Sequence, residues 1–524
     1  MHPRGPWYVA ATGALLLGCG ASALAQSPAV RQNNPNPVAT ALKAGRALLD
    51  AEDLDRARIQ FEAALARDPA SAEAHFLLGL VYERQKNLAA AADSYGRAIS
   101  SAPRMAAAHD RLGFVLGQQG RTAEAIRKFE DAAQLDPKLF DAHHHLGATR
   151  WWTKDFEGAL PALQAAVRLR PDHAESRYYL GLTLERHGRL EPAIEQLRAA
   201  VRLGPRLAVA QLRLGTALQA FGDLDGAIAH LETAVRLDPL AADAQNSLGL
   251  ALTQRGRGDE AVAVFRRLVA AQPAYVPARL NLGTALMQQG NLAEAVSVLR
   301  ALTEIEPTNA EAFHNLGLAL KQQDDFAAAE TALRRAAQLD PSLPEAPFTL
   351  GVVLWQTGRA EEAQQQFLEA LARKGDYADA HYMLGTILKQ QGAMSEAESR
   401  FRQAIKHRPT SAEAHRSLGQ TLKQQGQDEA AVVSLAEAER LDRRTADAQA
   451  STFAVSVGVQ KLSAGDYAGA INRFREAIRL APENPQAHYQ LGLALRRTGA
   501  QREARKHFAE AQRLAPHLRP PNKS

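Results

Sequence analysis

Cysteine is almost missing from these 524 residues: there is one, Cys19. That excludes an intrachain disulfide framework, a cysteine-ligated structural zinc and an iron–sulfur cluster. Aromatics are only 6%, too few for a β-sandwich rich in ring-lined strands, and alanine, glycine and leucine dominate instead, as suits close-packed helices. Charge of one sign is lacking too. Lys plus Arg is 62 against 57 Asp plus Glu, a net +5, too thin for a nucleic-acid binder of this length unless gathered into one patch. After the N-terminal stretch no apolar run is long enough to span a bilayer. With 23% charged and 46% hydrophobic residues, disorder is not expected either.

What is present begins with an address. Arg4 precedes an apolar stretch from Trp7 to Leu24, which ends in Ala23-Leu24-Ala25, the small-x-small form of a secretory cleavage site. The expected signal peptide is 1–25, followed by a Pro- and Asn-containing linker over 26–37. Leu16-Leu17-Gly18-Cys19 also resembles a lipobox, in which Cys19 would carry lipid and anchor the chain to a membrane. The expectation is export, to the periplasm or medium, with a lipoprotein as the alternative.

Beyond the linker a period of 34 dominates. Glycines, mostly preceded by leucine, stand at Gly45, Gly79, Gly113, Gly147, Gly181, Gly215, Gly249, Gly283, Gly317, Gly351, Gly385, Gly419, Gly458 and Gly492; every step is 34 residues except 419 to 458, which is 39. Twelve residues after each stands an alanine, from Ala57 to Ala504, with a Phe, Tyr or Leu four further on. A proline such as Pro69, Pro103 or Pro137 usually precedes the next glycine by ten residues. Each copy reads as two helices. A glycine such as Gly120 or Gly188 usually ends the first, and proline, which cannot continue a helix, sets the end of the second.

This pattern resembles the tetratricopeptide repeat over residues 38–518. The resemblance implies an all-α helix–turn–helix repeat solenoid, a right-handed superhelix of about 14 repeats. The copies divide as repeats 1–12 over 38–445, an insertion at 446–450, repeats 13–14 over 451–518 and a tail at 519–524. No Gly or Pro occurs from Gln427 to Val457, which predicts one overlong helix there, with a hinge as the competing reading. The charged last helix, with Arg502, Glu503, Arg505, Lys506, Glu510 and Arg513, suits a solvating cap.

Signs of catalysis are scarce. There is no Gly-rich phosphate loop, no HExxH and no GxSxG, and the repeats leave no stretch of a catalytic domain's size, so no enzyme and no cofactor is expected. His143-His144-His145 is conspicuous, but consecutive helical residues point about 100° apart and cannot converge on one metal. His143 also shares its repeat position with His75, His109, His381, His415 and His488, which marks a packing role. No metal is expected. Acids recurring two residues earlier (Glu73, Asp141, Glu175 and their equivalents) suit the positive end of each first helix rather than paired-carboxylate chemistry.

The resemblance implies a concave wall lined by the first helices, on which extended partner segments lie. Transferred to this chain, it gives an aromatic zone of Phe114, His144, Trp151, Trp152 and Tyr178 with Arg186 beside it. An uncharged middle follows, with Thr216, Gln219, Asn246, Thr253, Thr284 and Met287. A basic stripe then runs through His314, Lys321, Tyr382, Lys389, Arg416 and Lys423. The family's carboxylate clamp needs Asn just after the repeat glycine, a position that holds Phe114, Thr216 and others, never Asn. Asn281 and Asn315 resemble two rungs of the family's asparagine ladder. The expected function is a non-enzymatic scaffold of the cell envelope that holds peptide segments of partner proteins, with no nucleic acid and no membrane contact beyond a lipid at Cys19. The alternative is a substrate-selecting subunit of an envelope glycosyltransferase, secretion or pilus-assembly complex.

Overall fold

The computed structural model describes residues 36–518 and residue 520, and the signal peptide, Cys19, almost all of the linker and most of the tail lie outside the described residues. Within them the chain is all α: 27 helices in antiparallel pairs, with no strand. It divides into two compact units, 1–217 and 218–524, whose boundary falls inside one helix, Ala208–Phe221. No helix among the described residues is long and apolar enough to cross a membrane.

One copy shows the local logic. Helix α1 (Pro37–Asp50) starts at Asn36, whose side chain accepts from the Val38 N–H, and α2 (Leu54–Leu65) at Asp53, which accepts from Arg56. Between the paired helices the chain takes a left-handed residue. Ten copies place glycine there, Gly120 and Gly188 among them, while Glu52, Lys86, Lys154 and Asp324 hold that conformation with a side chain. The turn lets the pair close tightly. A Cβ on Gly45 would fall 2.4 Å from a Phe61 ring carbon, and one on Gly79 or Gly113 would strike Tyr95 or Phe129 likewise. The alanine twelve residues after each glycine is buried (Ala57, Ala91, Ala125), and so is the ring or leucine it accompanies, except in copy 12, where Leu435 is half-buried. Each such ring contributes roughly 1.5–3 kcal/mol of apolar burial, summed over the stack rather than gathered in one core.

In the first unit these pairs continue through α3 (Ala72–Arg84), α4 (Leu88–Ser101), α5 (Ala106–Gln118), α6 (Thr122–Leu135), α7 (Phe140–Trp152), α8 (Phe156–Leu169) and α9 (Ala174–Arg186). Two copies are also joined by a buried polar knot. Tyr95 Oη donates to Glu83 (2.6 Å), and Arg111 reaches the other Glu83 oxygen at 3.3 Å. Burial, with the Glu83 charge adding to it, pushes the Tyr95 phenol far above its ordinary range.

In the second unit one element breaks the pattern. Helix α24 (Asp428–Ser463) runs 36 residues, about 54 Å at 1.5 Å per residue, and serves as the second helix of copy 12 and the first of copy 13. Ala431, Ala438 and Leu441 are buried in its first part and Ser451, Ala454 and Gly458 in its second, while residues 442–450 are all exposed. Ser451 Oγ donates to the Ala477 carbonyl (2.8 Å) and accepts from Asn484 (2.9 Å), which ties the far half to the helices that follow. Helix α27 (Gln501–Leu514) buries Ala504, Phe508 and Ala511 and leaves Arg502, Glu503, Arg505 and Lys506 exposed. His517 then lies edge-on to Phe221, with ring centroids 6.2 Å apart, and against Gly222.

Candidate functional site

The recurring histidines have one shared task. His75, His109, His143, His415 and His488 each donate from Nε2 to a proline carbonyl six residues back, at 2.9–3.1 Å, and His381 does the same to the Gly375 carbonyl at 3.0 Å. Gln211, Gln245, Arg177 and Arg279 make the equivalent bond in other copies. The position therefore satisfies a loop carbonyl that the second helix leaves without a partner. His143 is spent in this way.

Its neighbours are not. His145 Nδ1 meets Asp110 at 2.9 Å, with Asp110 buried and His145 largely so; burial opposes the imidazole charge, yet Asp110 overrides it and raises the pKa. His144 turns the other way, towards the next copy. Its Nδ1 lies 3.0 Å from Ser176 Oγ, which is also 2.9 Å from His173 Nδ1, and its Nε2 lies 3.8 Å from Glu175 Oε2. Burial, with His145, His173 and Arg170 adding to it, holds His144 well below the ordinary imidazole range, and burial with Arg170 takes His173 to about 4. The Glu175 carboxyl is raised by burial. No sequence signal linked residues 144, 173 and 175, because the helix-to-helix register that joins them is a tertiary property.

The aromatic zone assembles in the same copies. Trp151 and Trp152 meet at 5.4 Å edge to face, Trp152 Nε1 donates to Tyr179 Oη (3.2 Å), and Tyr178 packs on Tyr179 at 5.3 Å. Trp151, Trp152 and Tyr178 are half-buried against Leu180, Leu182 and Leu184, so much of their surface goes into repeat packing. The Trp151 indole N–H is buried with no hydrogen-bond partner among the described residues. Phe114 is half-buried beside His145 (5.4 Å), and the exposed Arg186 sits 5.5 Å over Phe156. Sequence reasoning overlooked Tyr179, whose hydroxyl is what Trp152 binds.

The first helices carry Phe114, His144, Trp151 and Tyr178 in a stripe, with Trp152 and Arg186 one residue beyond it. Positions three before, one after and four after each repeat glycine are spaced i, i+4, i+7 and share a helix face. Neighbouring helices are joined along it by Asp110–His145, Asn246–Asn281 (2.8 Å) and His314–Thr349 (3.3 Å), all in one register. Asn281 thus pairs with Asn246 of the preceding copy, a rung that differs from the one suggested by Asn281 and Asn315. The hydroxyls of Thr216, Thr253 and Thr284 donate to their own helix backbone, which leaves acceptor lone pairs rather than donors for a ligand.

In the second unit the basic residues stand on successive first helices and are unequal. Arg416 is paired with Asp442. Lys389 donates to Gln420 (2.9 Å), and burial lowers its pKa. Lys321 and Tyr382 are half-buried, with Tyr382 5.9 Å from Phe401, and Lys423 is exposed.

A helix-pair solenoid with a varied, partly buried face on its first helices is the architecture of an interaction scaffold. Models of the tetratricopeptide repeat match residues 42–106 and 153–208, 106–139, 208–239 and 485–518, and 460–499. A further model, described as the Cilia and flagella-associated protein 70 C-terminal domain, matches 240–454. The chain is a tetratricopeptide-repeat protein. No curated protein matches it. Similar solved structures include pilF of Pseudomonas aeruginosa, 23% identical over 40% of this chain and 95% of that chain, TM-score 0.37. A MamA protein is 27% identical over 32% and 92%, TM-score 0.31, and the Naa15/Naa10 complex bound to HypK-THB is 13% identical over 91% and 94%, TM-score 0.32.

Proposed function

We propose that this protein is a non-enzymatic scaffold of the cell envelope that holds an extended segment of a partner protein along the first-helix face of copies 3–5. Support comes from one contrast. The glycine, alanine and ring positions recur from copy to copy, whereas the face around Tyr178 and Arg186 carries aromatic and guanidinium groups that the repeat does not require. Those residue types dominate binding hot spots. Export rests on the apolar stretch from Trp7 to Leu24 and the Ala23-Leu24-Ala25 motif, with lipid at Cys19 as the competing form.

The test is selection of peptides from a displayed library on the full chain, followed by affinity measurements with Arg186→Glu and Tyr178→Ala. We expect each variant to weaken selected peptides by at least about 2 kcal/mol, the hot-spot threshold, with helicity unchanged. Peptides that bind both variants as well as the parent would sink the reading. Intact mass of the protein from its native host, together with fractionation, decides between a chain starting at Gln26 and one lipidated at Cys19.

A further inference from the structure

We propose that His144, His173 and Glu175 form a binding site for a single divalent transition-metal ion of the zinc type, with two imidazoles and one carboxylate as ligands and one open position.

The three residues come from two successive copies, and one ligand atom from each lies within 4.8 Å of the other two. Bringing donors at that spacing onto an ion about 2.0–2.2 Å from each needs side-chain movement of roughly an ångström, with no change of backbone. The donor set is right for the ion: two imidazoles and one carboxylate with a fourth position free is a known zinc arrangement. The His144 side chain is only 12% exposed while Glu175 is 31% exposed, so the open position and the entry path lie on the Glu175 side.

Ser176 supplies what such a site needs behind its ligands. Its Oγ touches Nδ1 of both histidines, at 2.9 and 3.0 Å, and is fully buried. A hydroxyl has two acceptor lone pairs, so it can accept Nδ1–H from both rings at once, which orients them and leaves both Nε2 atoms to bind the ion. Without the ion, His173 Nδ1 instead accepts the Ser176 backbone N–H (3.2 Å) as a helix cap. Loading therefore moves the His173 proton from Nε2 to Nδ1 and gives up that cap, with no net proton released from the ring. Phe140 stacks on His144 at 5.8 Å and meets His173 edge-on at 4.9 Å, which limits how either ring can turn. Arg170, 3.9 Å over Phe140, opposes a dication here; the Glu175 carboxylate, 3.8 Å from His144 Nε2, offsets it. The inference does not rest on the peptide-binding reading, since the ion alone is the ligand.

The experiment uses the full chain, stripped with a chelator and titrated with Zn2+ against a fluorescent competitor, and separately with Co2+, whose visible absorption reports tetrahedral geometry. One equivalent bound, at least tenfold weaker in Glu175→Gln and in His173→Gln and 10–100-fold weaker in Ser176→Ala, is the expected result. Zinc should also raise the thermal midpoint of the parent and not of Glu175→Gln. Failure of the parent to hold one equivalent overturns the proposal. So does unchanged affinity in Glu175→Gln with circular dichroism like the parent's, because other histidine pairs such as His488–His507 would then account for the binding. Should His173→Gln lose helicity, Glu175→Gln, at a half-exposed carboxylate, decides alone.

Discussion

Gly113 has no room for a side chain: a Cβ there would meet the Phe129 ring at 2.7 Å and the Ala125 carbonyl at 3.1 Å. Gly113→Ala should therefore destabilise the first unit by about 1–3 kcal/mol, the usual cost of overpacking, read as a lower urea midpoint for its helices. The opposite sign applies at Lys86, which holds a left-handed φ of 60° at a turn where most copies have glycine. Lys86→Gly should stabilise by about 1 kcal/mol, seen as slower amide exchange in α3 and α4. At the buried knot, Glu83→Gln removes the charge that Arg111 and Tyr95 share and should cost about 1.5–3 kcal/mol. His381 adds a pH dependence. Burial lowers its pKa against the Gly375 bond that raises it, with Arg400 and His407 lowering it further. The unfolded chain then binds a proton that the fold does not, so stability is lost as pH falls below the ordinary imidazole value of 6.5, and His381→Gln should flatten that slope. The glycine and alanine positions were legible in the sequence because their steric demand recurs in every copy. The link from His144 to His173 and Glu175 was not, because it depends on which face of α7 meets α9, and three adjacent histidines look divergent when only their own helix is considered.

Among the elements, α24 departs most from the pattern, and its two halves answer to different neighbours. The near half packs within copy 12 and the far half holds Ser451 against Ala477 and Asn484. Ser451→Ala should leave the Asn484 amide without that partner at a cost of about 1–2 kcal/mol, with faster exchange in α25 (Tyr467–Leu480) and α26 (Pro485–Arg497) and little change in the near half of α24. The absence of Gly and Pro made the continuity of this helix legible. Its exposed middle followed from geometry alone: residues 442–450 pass between two packing partners and touch neither closely enough to be buried.

At the scale of the whole molecule, stability is a sum over neighbouring pairs rather than the property of one core. Unfolding followed by tryptophan fluorescence, which reports Trp151, Trp152 and Trp355, and by circular dichroism, which reports every helix, should give transitions that do not coincide. A single shared transition would show coupling beyond nearest neighbours. The fold class was legible because the same constraints recur fourteen times, the first twelve in one register, so that chance exceptions such as Gly375 for proline could not hide the period. The occupant of the first-helix face was not, because those positions are the ones the period leaves free. The unbroken α24 also bears on how such a gene can change. Elsewhere an extra codon falls in a turn and is absorbed there. Between residues 442 and 450 a single added codon rotates everything downstream by about 100°, so only length changes close to whole helical turns should keep the copies after this junction in their orientation.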